Sequence, residues 1–131
     1  MIEFFFARKQ GVLMARITGT YDTAALESLD NFVRGFVARN GMVRALYDFS
    51  GIEQLTVPMA RLAERARSPS LAGSQRVIVA PKIIGAEATR TYSGWQSDAG
   101  QKATTVVASL EEAYVLLGLD YNARFEPVTI T

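Results

Sequence analysis

The side chains best suited to acid–base chemistry in this 131-residue chain are Asp48, Lys82, Glu87 and Tyr92, because it contains no histidine and no cysteine. That absence excludes a thiol nucleophile, a disulfide framework, an imidazole proton relay and a Cys/His metal site. No nucleophile with a neighbouring base, no oxyanion motif and no phosphate-binding glycine loop accompanies the four side chains. We therefore predict no catalytic residue, no metal ligand, no cofactor and a function that is not enzymatic.

The end of one predicted strand offers another use for polar side chains. Residues 43–49 are predicted to form a strand, and open α/β sheets bind their ligands at the carboxyl ends of strands. Asp48 and Ser50 stand at that end. Asp48 either contacts a partner there or accepts hydrogen bonds in an Asx-type turn through Ser50, and the turn is the commoner role.

Three further candidates surround the start of the next predicted helix, near residue 58. Thr56 either caps this helix or accepts a phosphate group close to its positive end, and capping is the commoner role. Arg61 and Arg65 are one turn apart and either face an acidic partner or form a solvated surface. With Asp48 and Ser50, these three are the candidate partner-binding residues.

A third group of side chains shares one face of the helix predicted over residues 84–99. Its members are Ile84, Ala88, Tyr92 and Trp95, spaced three or four residues apart. They either pack onto the sheet, which is commoner, or line a pocket for a small hydrophobic ligand or a lipid. Gly85 and Gly94 weaken this helix by about 1 kcal/mol each and leave room for a mobile helix, which is compatible with a pocket.

Strand-like and helix-like segments alternate along the chain and position these residues. Strands are predicted at 4–6, 12–17, 43–49, 76–80 and 104–108, and helices at 22–40, 59–68, 84–99 and 109–118. The alternation after an opening hairpin implies crossover connections and a mostly parallel sheet. We expect one domain over residues 1–131, with a core of about residues 2–118 and a tail, 119–131, that contains an edge strand.

The longest predicted helix has recognisable end signals. Asp22 or Thr23 is expected to cap its start, and Gly41 supplies the left-handed residue that ends it. Within the helix, Asp30 and Arg34 stand four residues apart and are expected to form an ion pair.

The segment 46–59 resembles the strand-and-loop signature of STAS domains, the modules of anti-sigma-factor antagonists and of sulfate transporters. Asp48-Phe49-Ser50 matches the Asp-hydrophobic-Ser strand end of that family, and Ile52 and Leu55 match the apolar positions of its loop. The order of elements agrees over about residues 2–118, most closely with the SpoIIAA-like (STAS/SEC14) group. The family's Asp-Ser-Ser-Gly is replaced here by Thr-Val-Pro-Met at 56–59, so the phosphorylatable serine is absent.

The resemblance implies an α/β fold of the STAS type, with a four- or five-stranded mixed sheet and about four helices packed mainly on one face. It also implies a regulatory or protein-interaction module, whose partner is an anti-sigma or kinase-like protein. A module of the STAS/SEC14 type that binds a small hydrophobic ligand or lipid is the alternative. An enzyme of unrecognised class is a further alternative, which requires Asp48 and Lys82 to meet Glu87 or Tyr92.

The charge and hydropathy of the sequence predict which partners are excluded and where the protein is located. With 14 basic and 13 acidic side chains, the chain has a formal net charge of +1, which argues against a nucleic-acid partner. No segment approaches the roughly 20 apolar residues that cross a bilayer. Glu3 stands where a signal peptide carries positive charge, so we predict a cytoplasmic protein.

The apolar strand-like segments at 4–6 and 125–130 lie near the ends of the chain. Unprotected strand edges tend to be paired or covered, so these segments predict a homodimer.

Overall fold

The computed structural model of the protein describes residues 1–69, 71–73, 75–120 and 122–128, apart from the side chain of Ala86. The strands of this part are β1 (Ile2–Ala7), β2 (Val12–Tyr21), β3 (Arg44–Leu55), β4 (Arg76–Val79), β5 (Thr105–Val107) and β6 (Glu126–Pro127). The helices are α1 (Thr23–Asn40), α2 (Met59–Arg67), α3 (Gly85–Asp98) and α4 (Leu110–Leu117). The predicted order of elements is confirmed.

The strands form one mixed sheet in the order β5-β4-β3-β2-β1-β6. β1 and β2 form the predicted antiparallel hairpin, and β2, β3, β4 and β5 are mutually parallel. The sheet has six described strands instead of the expected four or five. The additional strand is β6, a two-residue pairing that comes from the tail.

The tail covers the outer edge of β1. Phe5 pairs with Pro127 and Phe6 with Glu126, and the Val128 N–H donates to the Phe4 carbonyl at 2.8 Å. Proline is tolerated here because β6 is an edge strand. The exposed β1 edge that motivated the homodimer prediction is therefore paired within the chain, while residues 129–131 of the predicted tail lie outside the described residues.

β3 continues beyond the strand end predicted at residue 49. A register shift relative to β2 follows Asp48, and pairing then resumes from Gly51 to Leu55. A side chain at Gly51 would place its Cβ 2.8 Å from the Thr18 Cγ2, so glycine permits the close approach of the two strands. The strand end predicted at residue 49 is therefore wrong, because residues 50–55 continue β3.

α1 begins and ends at the predicted residues. The Asp22 carboxylate accepts a hydrogen bond from the Ala25 N–H at 2.8 Å, and Gly41 ends the helix at φ 84°. The predicted ion pair between Asp30 and Arg34 is wrong, because Arg34 donates to the Asn31 side chain and Asp30 pairs elsewhere.

Helices cover both faces of the sheet unequally. α1 packs its buried stripe onto one face, the α1 face, which includes Leu13 and Ile17 of β2. α4 packs on the opposite face, the α4 face, against Val12 and Met14. α2 and α3 lie with α1, since all three helices line one cavity on that face. Three helices thus share one face and α4 covers the other, in agreement with the predicted arrangement.

No described helix is both long and apolar enough to cross a membrane.

Candidate functional site

A cavity of about 280 Å³ lies on the α1 face, between the sheet and helices α1, α2 and α3. Ile84, Ala88, Tyr92 and Trp95 all line it, so the face predicted for this helix is turned toward the cavity. The remaining wall is mostly apolar and aromatic; it includes Leu26, Leu29, Tyr47, Phe49, Leu62 and Ile78. The structure thus leaves the α3 face in contact with open space rather than tightly packed on the sheet.

The two halves of α3 are held in place differently. Its first residue, Gly85, has a φ of 73°, and no side-chain hydrogen bond caps its start. Polar contacts hold its second half: Ser93 donates to the Thr104 carbonyl at 2.6 Å, and the Thr104 N–H donates to Gln96 at 3.0 Å. Among the residues of α3 with described side chains, Gln96 is the one that is buried. The helix is therefore held by hydrogen bonds while Tyr92 and Trp95 remain half-buried.

An ion pair forms part of the cavity wall. The Arg65 Nε lies 2.7 Å from the Asp30 Oδ2, and the two side chains are 15% and 16% exposed. Burial acts to lower the pKa of Arg65, but the neighbouring Asp30 carboxylate outweighs it, so that pKa is raised. Both charges are thereby neutralised by each other. Sequence reasoning found Arg65 but missed Asp30, which local spacing had assigned to Arg34.

Arg76 contributes a second cationic side chain to the wall. The residue is 6% exposed, and one guanidinium nitrogen donates to the Lys102 carbonyl. Its Nε is buried without a hydrogen-bond partner, and no described carboxylate forms an ion pair with it. Burial lowers the pKa of Arg76, as expected for a cation removed from water. Sequence reasoning missed this residue, although a charge opening the apolar run 76–80 was the available signal.

Three tyrosines lie around these charges: Tyr21, Tyr47 and Tyr92. Within the described residues, none of their hydroxyls forms a hydrogen bond. Burial raises the pKa of all three, that of Tyr47 to about 12, so each hydroxyl keeps its proton near neutral pH. The cavity therefore presents hydroxyl donors beside two guanidinium groups.

Asp48 and Ser50 lie across the sheet from this cavity. Asp48 follows Leu46 on the α4 face, and its carboxylate accepts from the Ser50 N–H at 3.1 Å and the Ser50 hydroxyl at 2.6 Å. Arg16 adds a contact of 3.4 Å to the same carboxylate. Asp48 thus adopts the Asx-type arrangement weighed from the sequence.

The other partner-binding candidates are distributed around α2. Thr56 is exposed, and its N–H donates to the Tyr21 carbonyl at 3.0 Å. Pro58 occupies the N-cap position of α2 without a side-chain hydrogen bond, so the capping role weighed for Thr56 is wrong. Arg61 is half-buried, and Arg65 is held by the ion pair described above. The five candidates therefore do not form one patch: Asp48 and Ser50 face the α4 side, and Arg65 faces the other.

The acid–base grouping considered for an enzyme is also divided. Tyr92 lines the cavity, whereas Asp48 faces the opposite side of the sheet. Lys82 and Glu87 are exposed and do not line the cavity. No group of three or more potential metal ligands occurs among the described residues.

Comparisons with known proteins support the architecture. No family model and no curated protein matches the chain. Among solved structures, the chain is similar to the anti-sigma factor antagonist SpoIIAA in its unphosphorylated form, with a TM-score of 0.58 and 10% sequence identity. The similarity covers 88% of this chain and 94% of that one. The protein therefore has the STAS-like α/β fold that its sequence predicted.

Proposed function

We propose that the protein is a non-enzymatic binding module of the STAS-like fold whose cavity takes up a small, mainly apolar molecule. The observation that carries this proposal is the cavity of about 280 Å³ on the α1 face. Its size is close to the lower end of ligand pockets, roughly 300 Å³. Its walls combine aliphatic and aromatic side chains with a few polar groups, which is the usual composition of such pockets.

The energetic reason for binding is the apolar surface that α3 leaves unpacked. Tyr92 and Trp95 line the cavity and are half-buried. A ligand that covers them gains about 0.8 kcal/mol for each methylene group that it removes from water. A preformed cavity also spares the cost of ordering flexible loops.

Trp95 makes the proposal directly testable, because it is the single tryptophan and it lines the cavity. Titration with decanol should change its fluorescence in a saturable way. Ala88→Phe, which places a ring at the cavity wall, should weaken that response at least about tenfold, an effect of about 1.4 kcal/mol. Ala24→Phe is the matched control, since Ala24 is an exposed alanine of α1 away from the cavity.

Absence of a saturable fluorescence change with decanol and also with its charged analogues decanoate and decylamine would contradict the proposal. Equal weakening by both substitutions would contradict the assignment of binding to this cavity. Native mass spectrometry of the freshly purified protein provides a second readout, in which a co-purifying small molecule supports ligand binding.

A second candidate function is a regulatory module that docks a protein partner of the anti-sigma or kinase-like class. The fold it shares with an anti-sigma factor antagonist supports this function, as does Met59, which is 64% exposed at the start of α2. Since Thr-Val-Pro-Met occupies 56–59, such regulation would not pass through a serine there.

Docking through α2 predicts that Met59→Asp combined with Arg61→Glu abolishes co-purification of that partner. Val115→Asp is the control, because Val115 is 76% exposed on α4, on the opposite face. Retention of the partner by the α2 double variant would contradict docking at this surface.

A further inference from the structure

The charges around the cavity do not balance. Asp30 and Arg65 neutralise each other across 2.7 Å, whereas Arg76 has no carboxylate partner among the described residues. Arg76 is 6% exposed, so water compensates little of its charge. Burying an unpaired cation costs several kcal/mol, and structures normally offset that cost with an opposite charge. Among the residues that the structure describes, the cavity wall thus holds one positive charge without a carboxylate counter-charge.

The hydrogen-bonding capacity around Arg76 is also incompletely used. Its guanidinium donates to the Lys102 carbonyl, while its Nε has no hydrogen-bond partner among the described residues. Tyr47 and Tyr92 line the same cavity as Arg76, and neither hydroxyl is hydrogen-bonded within the described residues. A guanidinium and two phenols are all hydrogen-bond donors, and an anionic oxygen accepts such bonds most strongly.

Another part of the cavity wall is apolar. Ile84, Ala88 and Trp95 line the same cavity and offer no charged group. A ligand that satisfies both parts must carry an apolar body and one negative head. A single uncompensated positive charge matches a monoanion better than a phosphate monoester, which carries close to two negative charges near neutral pH.

We propose that the cavity binds a small amphipathic carboxylate, whose head group pairs with Arg76 and accepts hydrogen bonds from Tyr47 and Tyr92 while its apolar part lies against Trp95. This inference rests on the ligand-binding function proposed above and adds the chemical class of the ligand. It makes Arg76 the specificity-determining residue of the cavity.

The experiment compares three probes of equal chain length on the wild-type protein, with Trp95 fluorescence as the readout. Decanoate is an anion, decanol is neutral and decylamine is a cation at neutral pH. We expect decanoate to bind at least about tenfold more tightly than decanol, since hydrogen bonds to charged groups contribute more than neutral ones. Decylamine should bind more weakly than decanol, because Arg76 repels its head group.

Two substitutions locate the preference. Arg76→Met should remove the advantage of decanoate over decanol while leaving decanol binding within about threefold, because it deletes the charge and keeps a long apolar side chain. Arg76→Lys retains the charge and should keep part of the preference. Arg67→Met is the control, since Arg67 is an exposed arginine of α2 that does not line the cavity.

The outcomes separate this inference from the proposed function. If wild-type protein binds decanol and decanoate equally, the carboxylate assignment is overturned while ligand binding stands. If none of the three probes changes Trp95 fluorescence, both proposals fail. The wild-type probe series decides the point even if Arg76→Met does not fold, and a decanoate preference that survives in a folded Arg76→Met protein contradicts the role of Arg76.

Discussion

Helices α1 and α3 lie on the same face of the sheet but pack against it in opposite ways. α1 buries Leu26, Leu29, Val33 and Phe36. In α3, Gln96 is the one buried residue among the described side chains. The two helices differ in their apolar side chains and in what the sheet presents to them.

The strands beneath α1 meet it with aromatic rings. Phe4 stacks on Phe32 with ring centroids 3.6 Å apart, and Phe6 meets Phe36 edge-on at 4.9 Å. The strands beneath α3 instead present Tyr47, Arg76 and Ile78 to the cavity. The cavity therefore opens where α3 meets the sheet, and Leu26 and Leu29 of α1 border it from the side.

The largest expected effect is a difference in the free energy of unfolding between substitutions in α1 and in α3. Phe36→Ala should lower the free energy of unfolding by about 3–5 kcal/mol, the usual cost of truncating a buried aromatic side chain. Trp95→Ala should cost less than about 2 kcal/mol, because Trp95 already borders open space and leaves less new cavity. Urea unfolding followed by circular dichroism measures both, and equal losses would contradict the contrast between α1 and α3.

The next effect concerns the ion pair that joins α1 to α2 at the cavity wall. Arg65→Met leaves the Asp30 carboxylate without its partner. Breaking a fully buried pair costs about 3–5 kcal/mol. Because the Arg65 and Asp30 side chains are 15% and 16% exposed, solvent screens part of their interaction. We therefore expect Arg65→Met to lower the free energy of unfolding by about 2 kcal/mol. Arg34→Met, which removes the exposed arginine one turn from Asp30, should cost under about 0.5 kcal/mol in the same urea measurement. Similar losses for Arg34→Met and Arg65→Met would contradict the pairing of Asp30 with Arg65.

A smaller effect follows from the buried phenol of Tyr47. Its pKa is raised from 10.0 to about 12 in the folded protein, so the folded state holds the phenol proton more tightly than the unfolded chain does. The stability that depends on this proton is complete below pH 10 and is lost as the pH rises toward 12. At pH 11 the wild-type protein should have lost about 1 kcal/mol more than Tyr47→Phe, relative to each protein at pH 8. Unfolding curves at the two pH values measure this difference, and identical losses would mean that Tyr47 titrates normally.

The smallest effect compares the helices through their internal glycines. A Cβ at Gly94 of α3 would meet nothing within 4 Å, and one at Gly35 of α1 would meet only the flexible Arg39 side chain at 3.4 Å. Gly94→Ala and Gly35→Ala should therefore each stabilise the protein by about 0.4–1 kcal/mol. Thermal unfolding measures both changes. Stabilisation by Gly35→Ala alone would indicate that α3 is not helical around residue 94 in solution.

The elements were predictable because their signals are local. Asp22 and Gly41 bound α1 as the sequence indicated, since capping depends on residues within one turn. At α4, Ser109 accepts from the Glu112 N–H at 3.2 Å, a bond between residues three positions apart that caps the helix. The face of α3 that turns inward also followed from helical spacing. The extension of β3 was missed because a bulge beside Gly51 depends on β2, a neighbour in space.

The candidate site was only half predictable. Ile84, Ala88, Tyr92 and Trp95 shared a face in the sequence, but their spacing does not reveal whether a helix packs tightly or leaves a cavity. Asp48 and Arg65 were both partner-binding candidates, but they lie on opposite faces because the sheet separates them. Which side of a strand faces which helix depends on connections that a local pattern does not encode.

The sequence by itself determined the order of helices and strands, the caps of α1 and the absence of the chemistry that histidine and cysteine would have supplied, because these follow from composition and from interactions within a few residues. The tertiary structure decided that Asp30 pairs with Arg65, 35 residues away, instead of with Arg34. It also decided that Arg76 is buried beside an open cavity without a carboxylate partner in the part of the chain that the structure describes. These features arise where α1, α2, α3 and the sheet converge, since both charge pairing and empty space depend on side chains that meet only after the chain has folded.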